Sequence, residues 1–139
     1  MDQVTRDAAV RLIDGLLDGD ATSVSSAAAE LGGISAVRVS TATLVCALDR
    51  QFPDEVSADE ISRHVDHVET RLPDGDRLEG LQAEAVIRGS LGDFDMLEGV
   101  PTQQILDTHV AVLRVASDEL KLSGEGRARF VANVLDVLS

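Results

Sequence analysis

The chain has 139 residues, enough for a single domain that buries a sizeable core without disulfides or metals. Its 25 acidic and 12 basic residues give a formal net charge of −13, and a field of that sign repels phosphate backbones and anionic lipid headgroups. We therefore expect one domain over residues 1 to 139, with neither nucleic acid nor a membrane as its partner.

Two helices are predicted at the start of the chain. Residues 3 to 18 repeat apolar side chains at helical spacing, and Gly19 stands where a helix C-cap belongs. Asp20 is placed to cap a second helix that runs to about Leu31. The pair predicts a short αα-hairpin. The side chains expected to face inward are Val4, Ala8, Leu12, Ile13, Leu16, Leu17, Val24, Ala27, Ala28 and Leu31.

The next segment, ISAVRVSTATLVCALDRQF at residues 34 to 52, combines two periodicities. Val37 and Val39 alternate with polar residues as in a strand, whereas the apolar residues from Leu44 onward recur at helical spacing. Length favours a helix over about residues 40 to 51, ended by Pro53. A minor strand over residues 34 to 40 stays open.

The second half of the chain predicts four further helices. A capping-box pattern of Ser57 and Glu60 starts one at Ala58 that runs to Leu72. A turn, PDGD at residues 73 to 76, precedes a helix over about residues 76 to 90, with Leu78, Leu81, Ala85 and Val86 inward.

The last two helices follow a loop. Pro101 suits a first helical position, and residues 101 to 120 carry the widest apolar face. Ser123 is placed to cap the final helix, in which Phe130, Val131, Val134, Leu135, Val137 and Leu138 point inward. These elements predict an all-α fold, a single compact domain of six or seven helices.

Aromatic and sulfur residues are scarce. The chain has three Phe, no Trp and no Tyr, so the core must be aliphatic. Cys46 is the only cysteine, which excludes an internal disulfide and a Cys-based zinc site; its apolar neighbours predict a buried, inert thiol. The chain contains no run of about 18 apolar residues and no signal-peptide pattern, so we expect a cytoplasmic protein.

The stretch EISRHVDHVETRLP, residues 60 to 73, holds two of the three histidines. On a helix, His64 and His67 share a stripe with Glu60 and Arg71. Such a group could hold a metal if another ligand came from elsewhere, but Arg71 opposes a bound cation and no HExxH motif occurs. We interpret Glu60 and His64 as a surface pair. Replacing both histidines by Ala is then expected to change stability by less than about 1 kcal/mol.

His109 falls in the middle of an apolar helix face, where burial lowers the pKa of an imidazole. One interpretation is a core histidine hydrogen-bonded to a backbone carbonyl. The other is a polar group that lines an internal ligand cavity, which requires polar neighbours from other helices. The spacing of the sequence does not identify them.

Catalytic and cofactor motifs are missing. Neither GxSxG nor Ser-x-x-Lys occurs, and the glycine clusters do not follow a strand as a dinucleotide fingerprint must. The loop carboxylates fit turns better than a calcium loop. We therefore expect no enzyme, no cofactor and no metal.

The loop DFDMLEGV, residues 93 to 100, is unusually apolar. Phe94, Met96, Leu97 and Val100 lie among acids and a glycine. They predict either a loop folded back over the core or an exposed interface for a partner or a second copy.

Three functions remain open. The leading hypothesis is a non-enzymatic protein–protein interaction module or homodimer. The second is a small-ligand or metal-binding protein with a cavity near His109. The third is an acidic inhibitor of a nucleic-acid-binding protein, which predicts binding that weakens steeply with salt.

Overall fold

A computed structural model describes residues 1 to 72, 78, 80 to 92 and 94 to 139, apart from the side chain of Phe94. The described residues form seven α-helices and no strand, so the predicted all-α fold is confirmed. None of these helices is long and apolar enough to cross a membrane. The helices are α1 (Gln3–Asp18), α2 (Ala21–Leu31), α3 (Gly33–Gln51), α4 (Ala58–Arg71), α5 (Gly80–Ser90), α6 (Thr102–Glu119) and α7 (Gly124–Leu138), with a 3-10 turn at Phe94–Leu97 before α6.

The α1–α2 hairpin forms as predicted. Gly19 takes φ +68° at the C-cap of α1, a left-handed conformation that glycine adopts without steric cost. A Cβ at Gly19 would also lie 2.5 Å from Cδ of Arg114, so a larger residue would have to displace the Arg114 side chain. Asp20 then caps α2, because its carboxylate accepts a hydrogen bond from the backbone N–H of Ser23 at 3.2 Å.

Helix α3 begins earlier than predicted, and the alternative of a strand over residues 34 to 40 is wrong. Gly32 at φ +88° turns the chain sharply out of α2 and makes room for a helix start at Gly33. Ala36, Val39 and Ser40 are buried along one helical stripe. The apparent alternation of valines was the edge of that stripe, since Val37 is only half-buried.

Helices α3 and α6 run parallel, side by side, with a nearly constant offset of 69 residues. Gly33 lies beside Thr102 at their N-terminal ends, Ser40 bonds to His109 in the middle, and Gln51 approaches Glu119 at the C-terminal ends. This pair forms the centre of the bundle: α1, α5 and α7 pack against α3, and α1, α4 and α5 pack against α6.

Helix ends in the second half agree with the sequence in part. The capping box is present, with Ser57 and Glu60 each accepting the other's backbone N–H. The predicted turn at 73 to 76 lies outside the described residues. Pro101 is the N-cap of α6 rather than its first helical residue, and Ser123 is the N-cap of α7 but makes no side-chain capping bond.

The core is aliphatic around one phenylalanine. Phe130 is fully buried, and the guanidinium of Arg50 lies 4.9 Å from its ring centroid. Three side chains that were predicted to face inward are instead exposed: Val4, Leu81 and Val137. Each belongs to an end turn of its helix.

Candidate functional site

Among the described residues, the largest fully buried polar side chain is His109, which is hydrogen-bonded at both ring nitrogens. The Ser40 hydroxyl meets Nδ1 and the Ser90 hydroxyl meets Nε2 at 2.9 Å. Ser90 in turn donates to the backbone carbonyl of Val86 at 2.7 Å. Ser40, His109 and Ser90 come from α3, α6 and α5, and none is more than 4% exposed. We call these three residues the polar chain.

The hydrogen bonds determine the tautomer of His109. Because the Ser90 hydroxyl donates its proton to the Val86 carbonyl, the hydroxyl oxygen must accept a hydrogen bond from Nε2–H of His109. Nδ1 is then the unprotonated nitrogen, and Ser40 donates to it. Each group in the polar chain thus has a partner, and the predicted backbone-carbonyl partner of His109 is reached only through Ser90.

Burial lowers the pKa of His109 from 6.5 to about 4, so the imidazole is neutral near pH 7. A serine that donates a hydrogen bond to a histidine is also the arrangement of a catalytic nucleophile and its general base. Here both partners are fully buried, and the polar chain therefore joins three helices rather than facing a substrate.

The histidine stripe of α4 is divided between two environments. His64 is only 8% exposed and packs edge-on against Phe52, with ring centroids 5.2 Å apart. Its Nε2 has no hydrogen-bond partner among the residues that the structure describes. Burial, followed by the neighbouring His67, lowers the pKa of His64 against an opposing effect of Glu119. The predicted surface pair of Glu60 and His64 is therefore wrong, because Glu60 serves the capping box.

His67 and Arg71 turn instead toward the end of α6. Nε2 of His67 lies 2.7 Å from Glu119, and the guanidinium of Arg71 lies 3.1 Å from Asp118. Both pairs are partly exposed, which limits their contribution to stability. Within the described ranges, no three histidine, cysteine, aspartate or glutamate side chains are arranged to hold a metal ion.

The remaining candidates from the sequence are Cys46 and the apolar residues of the loop at 94 to 100. Cys46 is buried, as predicted, and burial raises the pKa of its thiol. Met96, Leu97 and Val100 are half-buried. A Cβ added to Gly89 would lie 2.5 Å from Cγ of Leu97. The glycine in α5 thus makes room for this loop. The interface proposed for Phe94, Met96, Leu97 and Val100 stays a prediction.

An open groove of about 430 Å³ lies between α1 and α7. We call it the α1–α7 groove. Its α7 side is apolar, formed by Ala128, Val131, Ala132 and Leu135, and its α1 side contributes Val10. Arg6, Asp14 and Arg127 add charge along it. The sequence indicated the apolar face of α7 but not that α1 leaves it partly uncovered.

A second groove, of about 590 Å³, lies where α1, α4 and α6 end and α7 begins. We call it the basic groove, because Arg71, Arg114, Lys121 and Arg127 line it together with only two carboxylates, Asp18 and Asp118. Sequence patterns did not reveal it, since its four cations are spread over 57 residues of an acidic chain.

The comparisons give no relative from which to infer a function. No protein-family model, no curated protein and no solved structure matches this chain.

Proposed function

We propose that this protein is a non-enzymatic interaction module that binds a helical segment of another protein in the α1–α7 groove. The observation that carries the proposal is the unfilled apolar strip between the two helices. α1 and α7 both pack against α3 and are joined to each other at one end, where Arg127 lies 2.7 Å from Asp18 and 3.9 Å from Asp14.

The dimensions of the groove favour a helix as the occupant. The groove is lined by Arg6, Val10 and Asp14 of α1 and by residues 124 to 135 of α7, and Asp14 lies 3.9 Å from Arg127. From Arg6 to Asp14 the α1 side spans about eight residues, or roughly 12 Å of helix. Ala128 and Ala132 are small and exposed, so a two- to three-turn helix could approach α7 closely and present its own apolar side chains to Val10 and Val131.

Charge favours a basic partner over a second copy. Two copies would each bring a net charge of −13, and like charges oppose association, most strongly at low salt. A cationic amphipathic helix would place its apolar face in the groove and its basic face against the acidic surface around it. Homodimerisation is thus the second form of this proposal. A nucleic-acid-binding protein, inhibited by this chain, is one kind of basic partner.

The alternative of a small ligand near His109 has less support. Both ring nitrogens of His109 are engaged by serines, so the imidazole has no donor or acceptor left for a ligand. A cytoplasmic location remains part of the proposal, as does a second contact through the loop at residues 94 to 100.

A photo-cross-linking residue placed in the groove tests the proposal. We would introduce it at Ala132, on the groove floor, and as a control at Ala29, which is exposed on α2. After irradiation in the host cell, we expect one discrete adduct from position 132 alone, joined to a basic helical segment. Adding Ala128→Glu should abolish it, because the new carboxylate would be buried under the docked helix.

Three outcomes decide the matter. An adduct of two copies of this chain would replace the partner by a homodimer. Equal adducts from Ala132 and Ala29, or none from either, would refute the docking site. When the irradiation is repeated in a cell lysate, loss of the adduct at raised salt would support a basic partner, whereas an adduct insensitive to salt would argue against one.

A further inference from the structure

The basic groove gathers four of the 12 basic residues of an acidic chain. Asp18 and Asp118 also line it, and Asp14 and Glu119 lie 3.9 Å from Arg127 and 3.8 Å from Arg71. Lys121 supplies a positive charge that has no such partner among the described residues. At physiological salt, charges beyond about 8 Å are largely screened, so a small anion inside the groove would respond to these nearby groups more than to the distant acidic surface.

Two of the arginines are oriented by hydrogen bonds, Arg127 more firmly than the half-exposed Arg71. Arg127 donates through Nε to the Leu122 carbonyl at 3.0 Å and through Nη1 to Asp18 at 2.7 Å. A longer bond of 3.4 Å joins its Nη2 to the Ser117 hydroxyl. Arg71 is tied to Asp118 from the opposite wall. Cations positioned in advance lose little side-chain entropy when an anion binds.

Lys121, the single lysine of the chain, adds an independent observation. It is the one described non-glycine residue with positive φ, at +55°. It follows the C-cap of α6, where the N–H of Leu122 bonds to the Ser117 carbonyl and that of Lys121 to the Asp118 carbonyl. Glycine is the usual residue at this position, and a side chain there costs of order 1 kcal/mol.

The strained backbone conformation of Lys121 is not accompanied by a polar contact of its side chain within the described residues. The ammonium of Lys121 makes no ion pair or hydrogen bond with any residue that the structure describes, while the residue lines the groove. Retaining a lysine where glycine would be more stable is understandable if its charge acts on something bound there.

We propose that the basic groove binds a small phosphorylated polyol. Arginine and lysine together match the charge and geometry of a phosphate group. Asp18, Asp118 and Ser117 supply acceptors for ligand hydroxyls. The volume of about 590 Å³ suits a molecule of that size. The lining contains no aromatic side chain on which a nucleobase could stack, which favours a sugar phosphate over a nucleotide. This site is independent of the α1–α7 groove.

Calorimetric titration of the full chain tests the proposal, with ribose 5-phosphate, inorganic phosphate and ribose as probes. We expect saturable binding of ribose 5-phosphate, at least about tenfold tighter than that of inorganic phosphate, and no binding of ribose. In NMR spectra the backbone amides of residues 117 to 127 should shift. Shifts confined to another part of the chain, or equal affinities for the two phosphates, would overturn the assignment.

Variants separate a binding role from a structural one. Lys121→Gln should weaken ribose 5-phosphate binding about tenfold. Lys121→Gly should weaken it equally while raising Tm, because the left-handed backbone is then relaxed. Arg129→Gln is the matched control, because it removes the same charge. Arg129 is exposed on α7 and is not among the residues that line the groove. Equal weakening by Arg129→Gln and Lys121→Gln would reduce the effect to general electrostatics and refute the site.

Discussion

Acid is expected to destabilise this protein through one buried histidine. His109 has a pKa of about 4 in the folded chain against 6.5 for an ordinary histidine. Above pH 6.5 the imidazole is neutral in both states. Below it the unfolded chain takes up a proton that the folded chain refuses, so the free energy of unfolding falls as the pH falls from about 6.5 to about 4. The difference between the two pKa values corresponds to about 3 kcal/mol of unfolding free energy, a large part of the stability of a small domain.

Burial explains why the folded state refuses the proton, and the hydrogen bonds of the polar chain act in the same direction. Protonation would turn Nδ1 of His109 into a donor that faces the donated hydroxyl of Ser40. That hydroxyl would have to rotate and find another acceptor inside the core.

Urea unfolding at a series of pH values measures the effect. Wild type is compared with His109→Gln, which cannot titrate. The contributions of His64, whose pKa burial lowers, and of Asp14, whose pKa burial raises, largely cancel in the difference. We expect the wild type to lose about 3 kcal/mol relative to the variant between pH 7 and pH 4. Ser90→Ala keeps the buried imidazole and should keep the wild-type slope.

Parallel curves of unfolding free energy against pH for His109→Gln and wild type would show that His109 does not cause the acid sensitivity. Should His109→Gln fold too weakly to measure, the imidazole resonances of wild-type His109 decide the question. They should stay unchanged from pH 7 to pH 5. A midpoint near 6.5 would refute the buried, neutral assignment.

Four further substitutions test local packing, each by thermal or urea unfolding. Gly126→Ala should stabilise α7 by up to about 1 kcal/mol, since a Cβ there meets nothing within 4 Å. Gly89→Ala should instead cost about 1 kcal/mol, because its Cβ displaces Leu97; equal gains at both glycines would show that Leu97 does not occupy that space. His64→Ala should cost about 2 kcal/mol as a buried ring is lost, whereas His67→Ala should cost less than about 1, and a reversed order would restore the surface interpretation of His64.

Features that depend on neighbouring residues could be predicted from the sequence. Gly19, Asp20 and the Ser57–Glu60 capping box were recognised because a cap acts within a few residues of itself. The all-α fold followed from periodicity in the same way. His109 was correctly placed in the core, since its own helix carries the apolar face around it.

Features that depend on how helices meet could not be predicted. Ser40 and Ser90 became partners of His109 through the alignment of α3, α5 and α6, which no spacing along the chain encodes. His64 lay on the polar side of its own helix but is covered by Phe52 from the segment after α3. The two grooves are likewise spaces between helices.

The parallel pairing of α3 and α6 has a consequence for the synthesis of the protein. Ser40 leaves the ribosome 69 residues before its partner His109. At translation rates of roughly 5 to 20 residues per second, α3 waits between about 3 and 14 seconds for the helix that covers it. The α1–α2 hairpin can close at once from local contacts. The part of α3 that packs against α6, however, stays uncovered for those seconds, and this interval is when the nascent chain is most open to chaperones and to aggregation.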